Sequence, residues 1–222
     1  MEASTNSENT THGLTEQCEL CDALSQELSM LYLKWETWKE LFLEEEARSF
    51  LDGTAGGFFW LVQQLLRESI AMGVGRMTDR KSTAGRDNAS IHKLLDLILS
   101  GGCADVNAVA ATDLEKIDEL CGKSGALRNL RHRRFAHSDF ATAVRKESLE
   151  KIEDEQIDQL LGTLDHFLNT VRTSLGMKTS AHSSVILLGG GARELVGILK
   201  RLADLEDYFQ EKEFGCSLRE KT

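Results

Sequence analysis

From Cys21 onward the apolar residues Cys21, Leu24, Leu28, Leu31, Trp35, Trp38 and Phe42 recur at intervals that alternate three and four. A helix turns once every 3.6 residues, so this spacing lays all of them along one stripe, the mark of a single long amphipathic helix. The chain contains no proline, and no stretch alternates apolar and polar residues over a useful length. No proline interrupts a helix and no alternation builds a sheet, so the expected fold is all-α, an up-and-down helical bundle.

Downstream segments fit that expectation. Glycines at 53, 56 and 57 are expected to break the chain ahead of Phe58 to Met77, a segment apolar on most sides and so read as a central helix; Gly73 and Gly75 within it suggest close packing or a weak end. A polar loop from Asp79 to Asn88 leads to a short helix with Ile91, Leu94, Leu95 and Ile98 on one face, stopped by Gly101 and Gly102. Thr112 with Glu115 has the spacing of a capping box for a fourth helix carrying Leu114, Ile117 and Cys121. Leu149 to Leu175 reads as a long helix with Ile157, Leu160, Leu161, Leu164, Leu168 and Val171 inward. Val185 to Leu188 is either a short strand or a buried loop. Gly189 to Gly191 then precede a last amphipathic helix through Leu195, Leu199, Leu202 and Phe209. The expected organisation is a disordered tail over 1–13, a bundle over 14–178, and a Gly-rich connector with a C-terminal helical extension over 179–222.

The first dozen residues are polar and lack the basic start and apolar run of a signal peptide, and no uncharged apolar stretch approaches the roughly 20 residues that span a bilayer. A cytoplasmic protein without a membrane segment is expected. Five cysteines, an odd number at irregular spacing, argue for free thiols rather than a disulfide framework. Cys18 and Cys21 are not a metal half-site, because both fall on or beside the buried stripe and no second pair follows at ligand spacing. His12, His92, His166 and His182 offer no ligand spacing either, so neither a metal nor another cofactor is expected.

Net charge is −10, so the average surface repels a nucleic acid and only a local basic patch would hold one. One exists. Between Leu120 and Ser138 stand Lys123, Arg128, Arg131, Arg133 and Arg134 with no Asp or Glu, and His132 and His137 share the stretch. Histidine exchanges its proton near neutral pH, nearby arginines favour its neutral, base-competent form, and a guanidinium can clamp a phosphate bidentately. That combination suits metal-free cleavage of RNA, in which a base takes the proton of a ribose 2′-hydroxyl; DNA lacks that hydroxyl and would be left uncut. The plainer reading is a solvated basic helix end with one histidine packed against it, and the residues alone leave both open.

The run Leu127-Arg128-Asn129-Leu130-Arg131-His132-Arg133-Arg134-Phe135-Ala136-His137-Ser138-Asp139 resembles the signature of HEPN domains: an arginine, a polar residue, and a histidine after four to six intervening residues. Arg131, followed by His132 and separated by five residues from His137, satisfies the spacing; Arg128 and Arg133 do not. The stretch from Ser69 to Asp79, with Ser90-Ile91-His92-Lys93-Leu94-Leu95, resembles the abortive-infection, AbiU-type branch, and the likeness covers about Leu28 to Leu175. The resemblance implies a helical bundle that dimerises and joins two Arg-x5-His motifs in one composite cleft. It implies metal-independent endoribonuclease activity in a bacterial defence or toxin system, with RNA and a cognate antitoxin or regulator as partners. Arg131 and His137 are then catalytic, and Lys123, Arg128, His132, Arg133 and Arg134 bind RNA. Some members have lost catalysis, so a non-catalytic RNA- or partner-binding module stands as the alternative.

Geometry gives a separate reason to expect a dimer. On a straight helix, residues six apart are about 120° and roughly 9 Å from each other, too divergent to converge on one phosphate. Three further residues are supporting candidates. Arg76 and Asp79 would pair with each other as a structural ion pair or orient the basic segment. Asp139 would hold an imidazole tautomer or cap the next turn. Gly189 to Gly191 lack the Lys-Ser or Lys-Thr of a phosphate loop and read as a connector. Trp35 and Trp38 lie on the stripe, which favours core or dimer packing over stacking on bases.

Overall fold

A computed structural model of the chain describes residues 3–101, 107–123, 154–188 and 190–219. Among these, six α-helices dominate: α1 (Ala3–Phe42), α2 (Glu45–Met77), α3 (Ile91–Ser100), α4 (Asn107–Lys123), α5 (Asp154–Ser174) and α6 (Ala192–Arg219), with a 3-10 turn at His182–Ser184 before α6. The fold is all-α. The chain divides into two compact units, one of Met1–Lys34 with Arg67–Val185, the other of Trp35–Leu66 with Ile186–Thr222.

The first unit is a helical bundle built on the stripe of α1. Cys21, Leu24, Leu28 and Leu31 are buried and meet a core supplied by Ile70, Val74 and Met77 of α2, Ile91, Leu94 and Ile98 of α3, Ile117 of α4, and Ile157, Leu160, Leu161, Leu164, Phe167, Leu168 and Val171 of α5. Each fully buried aliphatic side chain contributes roughly 2 kcal/mol. Polar ties set the packing. Gln17 of α1 donates to the Leu97 carbonyl at 2.9 Å. Arg172 of α5, its side chain 11% exposed, reaches Asp22 at 2.6 Å and donates to the carbonyl of Lys178 at 2.7 Å. Gly73 sits against α1: a Cβ there would lie 2.6 Å from Leu31 Cδ2. Close packing is thus the role of that glycine, and α2 continues past it.

α3 follows the sequence in detail. The Ser90 hydroxyl accepts the Lys93 N–H as its N-cap, Ile91, Leu94, Leu95 and Ile98 are buried, and Gly101 closes the C-terminus. The loop ahead of it contains a hairpin that alternation could not reveal, since each strand has two residues, Ser82–Thr83 and Arg86–Asp87. Ala84 (φ 50°) and Gly85 (φ 77°) both take the left-handed region, as the two central residues of a type I′ turn must. Lys81 to Asp96 and Lys93 to Asp87 pin the hairpin to α3. These bonds hold the Asp96 carboxyl below, and the Lys93 ammonium above, its ordinary range.

The second unit joins the end of α1, the first half of α2 and α6. Trp35 and Trp38 are buried and stacked, ring centroids 5.1 Å apart. Glu40 accepts the Arg193 N–H at 3.2 Å, and Lys200 meets Glu46 at 2.6 Å, which lowers the Glu46 pKa. α6 opens with the Gly191 N–H donating to Glu194 at 2.8 Å, half of a capping box that also lowers the Glu194 pKa.

The break expected at Gly53, Gly56 and Gly57 falls among them: Ala55 (φ −154°, ψ 55°) is non-helical, and two helical stretches of α2 meet at a kink there. Three expectations need correction. The segment from Phe58 is not a centrally buried helix, for Phe58, Trp60, Leu61 and Leu65 are exposed. Thr112 is no cap, because α4 already begins at Asn107. Val185 to Leu188 form neither strand nor buried loop and are exposed.

Candidate functional site

The basic segment starts where α4 stops. Lys123 is the last residue of that helix, and Arg128, Arg131, His132, Arg133, Arg134, His137 and Asp139 lie outside the described residues. Their frame is described on both sides. Asp113 of α4 meets His166 of α5, while Lys116, one turn further along α4, lies with Gln159 and Thr163, earlier in α5. The two helices therefore run antiparallel. Lys123 and Asp154, the residues that flank the motif segment, close the same end of this pair.

Arg76 and Asp79 stand at the end of α2 and just beyond it. Arg76 is half-exposed and pairs with Glu27 of α1 at 2.5 Å, so the ion pair read from i+3 spacing with Asp79 has a partner 49 residues away instead. The Asp79 N–H approaches the Arg76 carbonyl at 3.4 Å, in the turn that releases the chain from α2.

One polar arrangement escaped the sequence altogether. An open cavity of about 660 Å3 lies along the α4–α5 seam, lined by Asp113, Lys116, Gln159, Gly162, Thr163 and His166. His166 Nδ1 is 2.5 Å from a carboxylate oxygen of Asp113, whose side chain is 13% exposed against 62% for the imidazole. A carboxylate on Nδ1 orients an imidazole and fixes its tautomer. His92 faces Asp118 at 3.3 Å and the buried His182 faces Asp165, so this pairing recurs wherever a histidine side chain is described. The partners are far apart in sequence, 53 residues for His166 and Asp113, and no local spacing signals them. Thr163 donates to the Gln159 carbonyl at 2.8 Å and so is committed to its own helix. Three His–Asp pairs tying separate elements together are a structural device first. No group of His, Cys, Asp or Glu that could hold a metal ion occurs among the described residues, and no helix among them is long and apolar enough to cross a membrane.

An all-α bundle in which an arginine- and histidine-rich segment connects two antiparallel helices defines the class of protein. The chain belongs to the HEPN_AbiU2 family, described as AbiU2, whose match runs over residues 14–183. That membership makes it a module related to abortive-infection defence. No curated protein and no solved structure matches the chain.

Proposed function

We propose that the protein is a metal-independent endoribonuclease of a bacterial defence or toxin system, acting in the cytoplasm through Arg131 and His137. The observation that carries the reading is the motif itself, Arg131-His132 with His137 after five residues, in a chain of the HEPN_AbiU2 family. The densest basic run in an acidic chain coincides with that motif, which is where a polyanion would be drawn.

In this mechanism His137 removes the proton of a ribose 2′-hydroxyl, and the oxygen attacks the adjacent phosphorus. The bond from phosphorus to the 5′-oxygen breaks, and the leaving oxygen takes up a proton. Arg131 offsets the charge that builds on the phosphoryl oxygens. Lys123, Arg128, His132, Arg133 and Arg134 hold the strand, with Arg76, Asp79 and Asp139 in support. Because Arg131 and His137 diverge on a straight helix, two chains contribute their motifs to one cleft, and a cognate antitoxin or regulator controls it. The working domain is 14–178, with 179–222 as an appended connector and helix.

The test is RNA cleavage by the purified chain. His137→Ala should lower turnover about 100-fold or more while leaving helicity and RNA affinity intact, as expected for loss of a positioned base. Products should end in a 2′,3′-cyclic phosphate, a chelator should not inhibit, and 2′-deoxyribose at the cut site should block the reaction. RNA binding without cleavage under all conditions would instead support a non-catalytic binding module.

A further inference from the structure

The geometry points to α6 as a self-association element: two copies of the chain pair through a parallel, two-stranded coiled coil along Leu195, Ile198, Leu202, Leu205 and Phe209.

These residues are spaced three, four, three and four apart, which is the a/d seam of two heptads and places them on one stripe about 21 Å long. All five are exposed in the single chain, between 43% and 62%. They are not the face that holds α6 in place. That face carries Ala192 and Val196, both buried, and Lys200, which is tied to Glu46; it lies about 140° around the helix from the seam at 100° per residue. The helix therefore has two apolar stripes, one used within its own unit and one with nothing on it among the described residues.

Charge selects the occupant. With Leu195, Leu202 and Phe209 at a, Arg201 falls at g and Glu206 at e. In a parallel pair each g residue faces the e residue five positions later on the other strand, so Arg201 of one copy meets Glu206 of the other, twice per dimer. Both side chains are exposed, and neither has an ion-pair partner among the described residues. An antiparallel pair would set Arg201 against the g residue Tyr208 and Glu206 against the e residue Leu199, and would lose both bridges. Two heptads are short for a free coiled coil, but α6 is already held helical by its inner face, so pairing does not have to order it. The seam lies beyond the 14–183 family match. It is independent of the motif's chemistry: a chain that cuts no RNA would pair in the same way.

Sedimentation of the full chain without RNA tests this. Wild type should be a dimer at micromolar concentration, and Leu202→Asp with Leu205→Asp should be monomeric with unchanged helicity, since both side chains are exposed in the monomer. Arg201→Glu alone and Glu206→Arg alone should each weaken the dimer about tenfold, through two attractive pairs made repulsive. An equimolar mixture of the two variants should recover wild-type affinity as a heterodimer. A monomeric wild type, a dimer indifferent to the Leu202 and Leu205 changes, or a mixture no tighter than its components would each overturn the proposal. So would a trimer or tetramer. His137→Ala should leave association untouched, so loss of cleavage and loss of pairing can be told apart.

Discussion

Cys21 shows how a residue's reactivity follows from its place on a stripe. It is fully buried in the first unit, and burial pushes its thiol up to about 11 against the opposing pull of Arg172. The neutral thiol is therefore the native form across the physiological range, and Cys21 should resist alkylation at pH 8 until the protein is denatured, as mass spectrometry of the labelled chain would show. Because the folded pKa lies above the thiol's ordinary value of 9.0, its contribution to stability is full below pH 9 and is lost as pH rises through 11. Denaturation midpoints should fall over that alkaline window, and Cys21→Ser should flatten the fall. Arg172 makes the complementary case, a charge whose side chain is nearly covered while it reaches Asp22 and the Lys178 carbonyl. Arg172→Met leaves those acceptors without their donor and should cost about 1–3 kcal/mol in urea denaturation. Nothing in the sequence names these partners, since Arg172 and Asp22 are 150 residues apart.

At the scale of elements, Gly73 decides how near α2 can come to α1. Alanine is ordinarily worth about 1 kcal/mol more than glycine inside a helix, yet here its methyl would meet the Leu31 side chain at 2.6 Å, and Leu31 is itself fully buried. Gly73→Ala should therefore destabilise by about 1–3 kcal/mol despite its better propensity; a melting temperature equal to or above wild type would contradict this packing. α3 and the stripe of α1 were legible because cap, period and stop all lie within one short window. The kink at Ala55 was legible too, from Gly53, Gly56 and Gly57 around it, whereas the exposure of Phe58, Trp60, Leu61 and Leu65 was not, because it depends on which faces find partners. The two-residue strands were missed for want of length, though the paired left-handed residues Ala84 and Gly85 were their only local trace. The candidate site was legible as a spacing, Arg131 to His137, but the Asp113–His166 pair and its cavity required α4 and α5 to be folded together. The stripe of α6 was visible as amphipathic, whereas its outward direction was set by which other face found a partner.

For the whole molecule, charge sets what it can hold. An acidic chain that carries five Lys or Arg and no Asp or Glu between Leu120 and Ser138 should bind RNA with an affinity that falls steeply as salt rises. Neutralising Arg128, Arg133 or Arg134 should weaken binding and flatten that dependence without unfolding the chain, whereas Arg131→Ala should lower turnover more than affinity; filter binding across a salt series checks the first and single-turnover kinetics the second. Affinity indifferent to both salt and these charges would point to a protein partner instead. The division into two units has a consequence for synthesis. The second unit draws on Trp35–Leu66 and Ile186–Thr222, so its early strands of sequence leave the ribosome long before their complement. At about 5–20 residues per second, roughly six to twenty-four seconds separate the two. Through that interval Trp35, Trp38 and Phe59 await the last part of the chain, and a nascent polypeptide in that state is a natural client for chaperones that bind exposed aromatic segments.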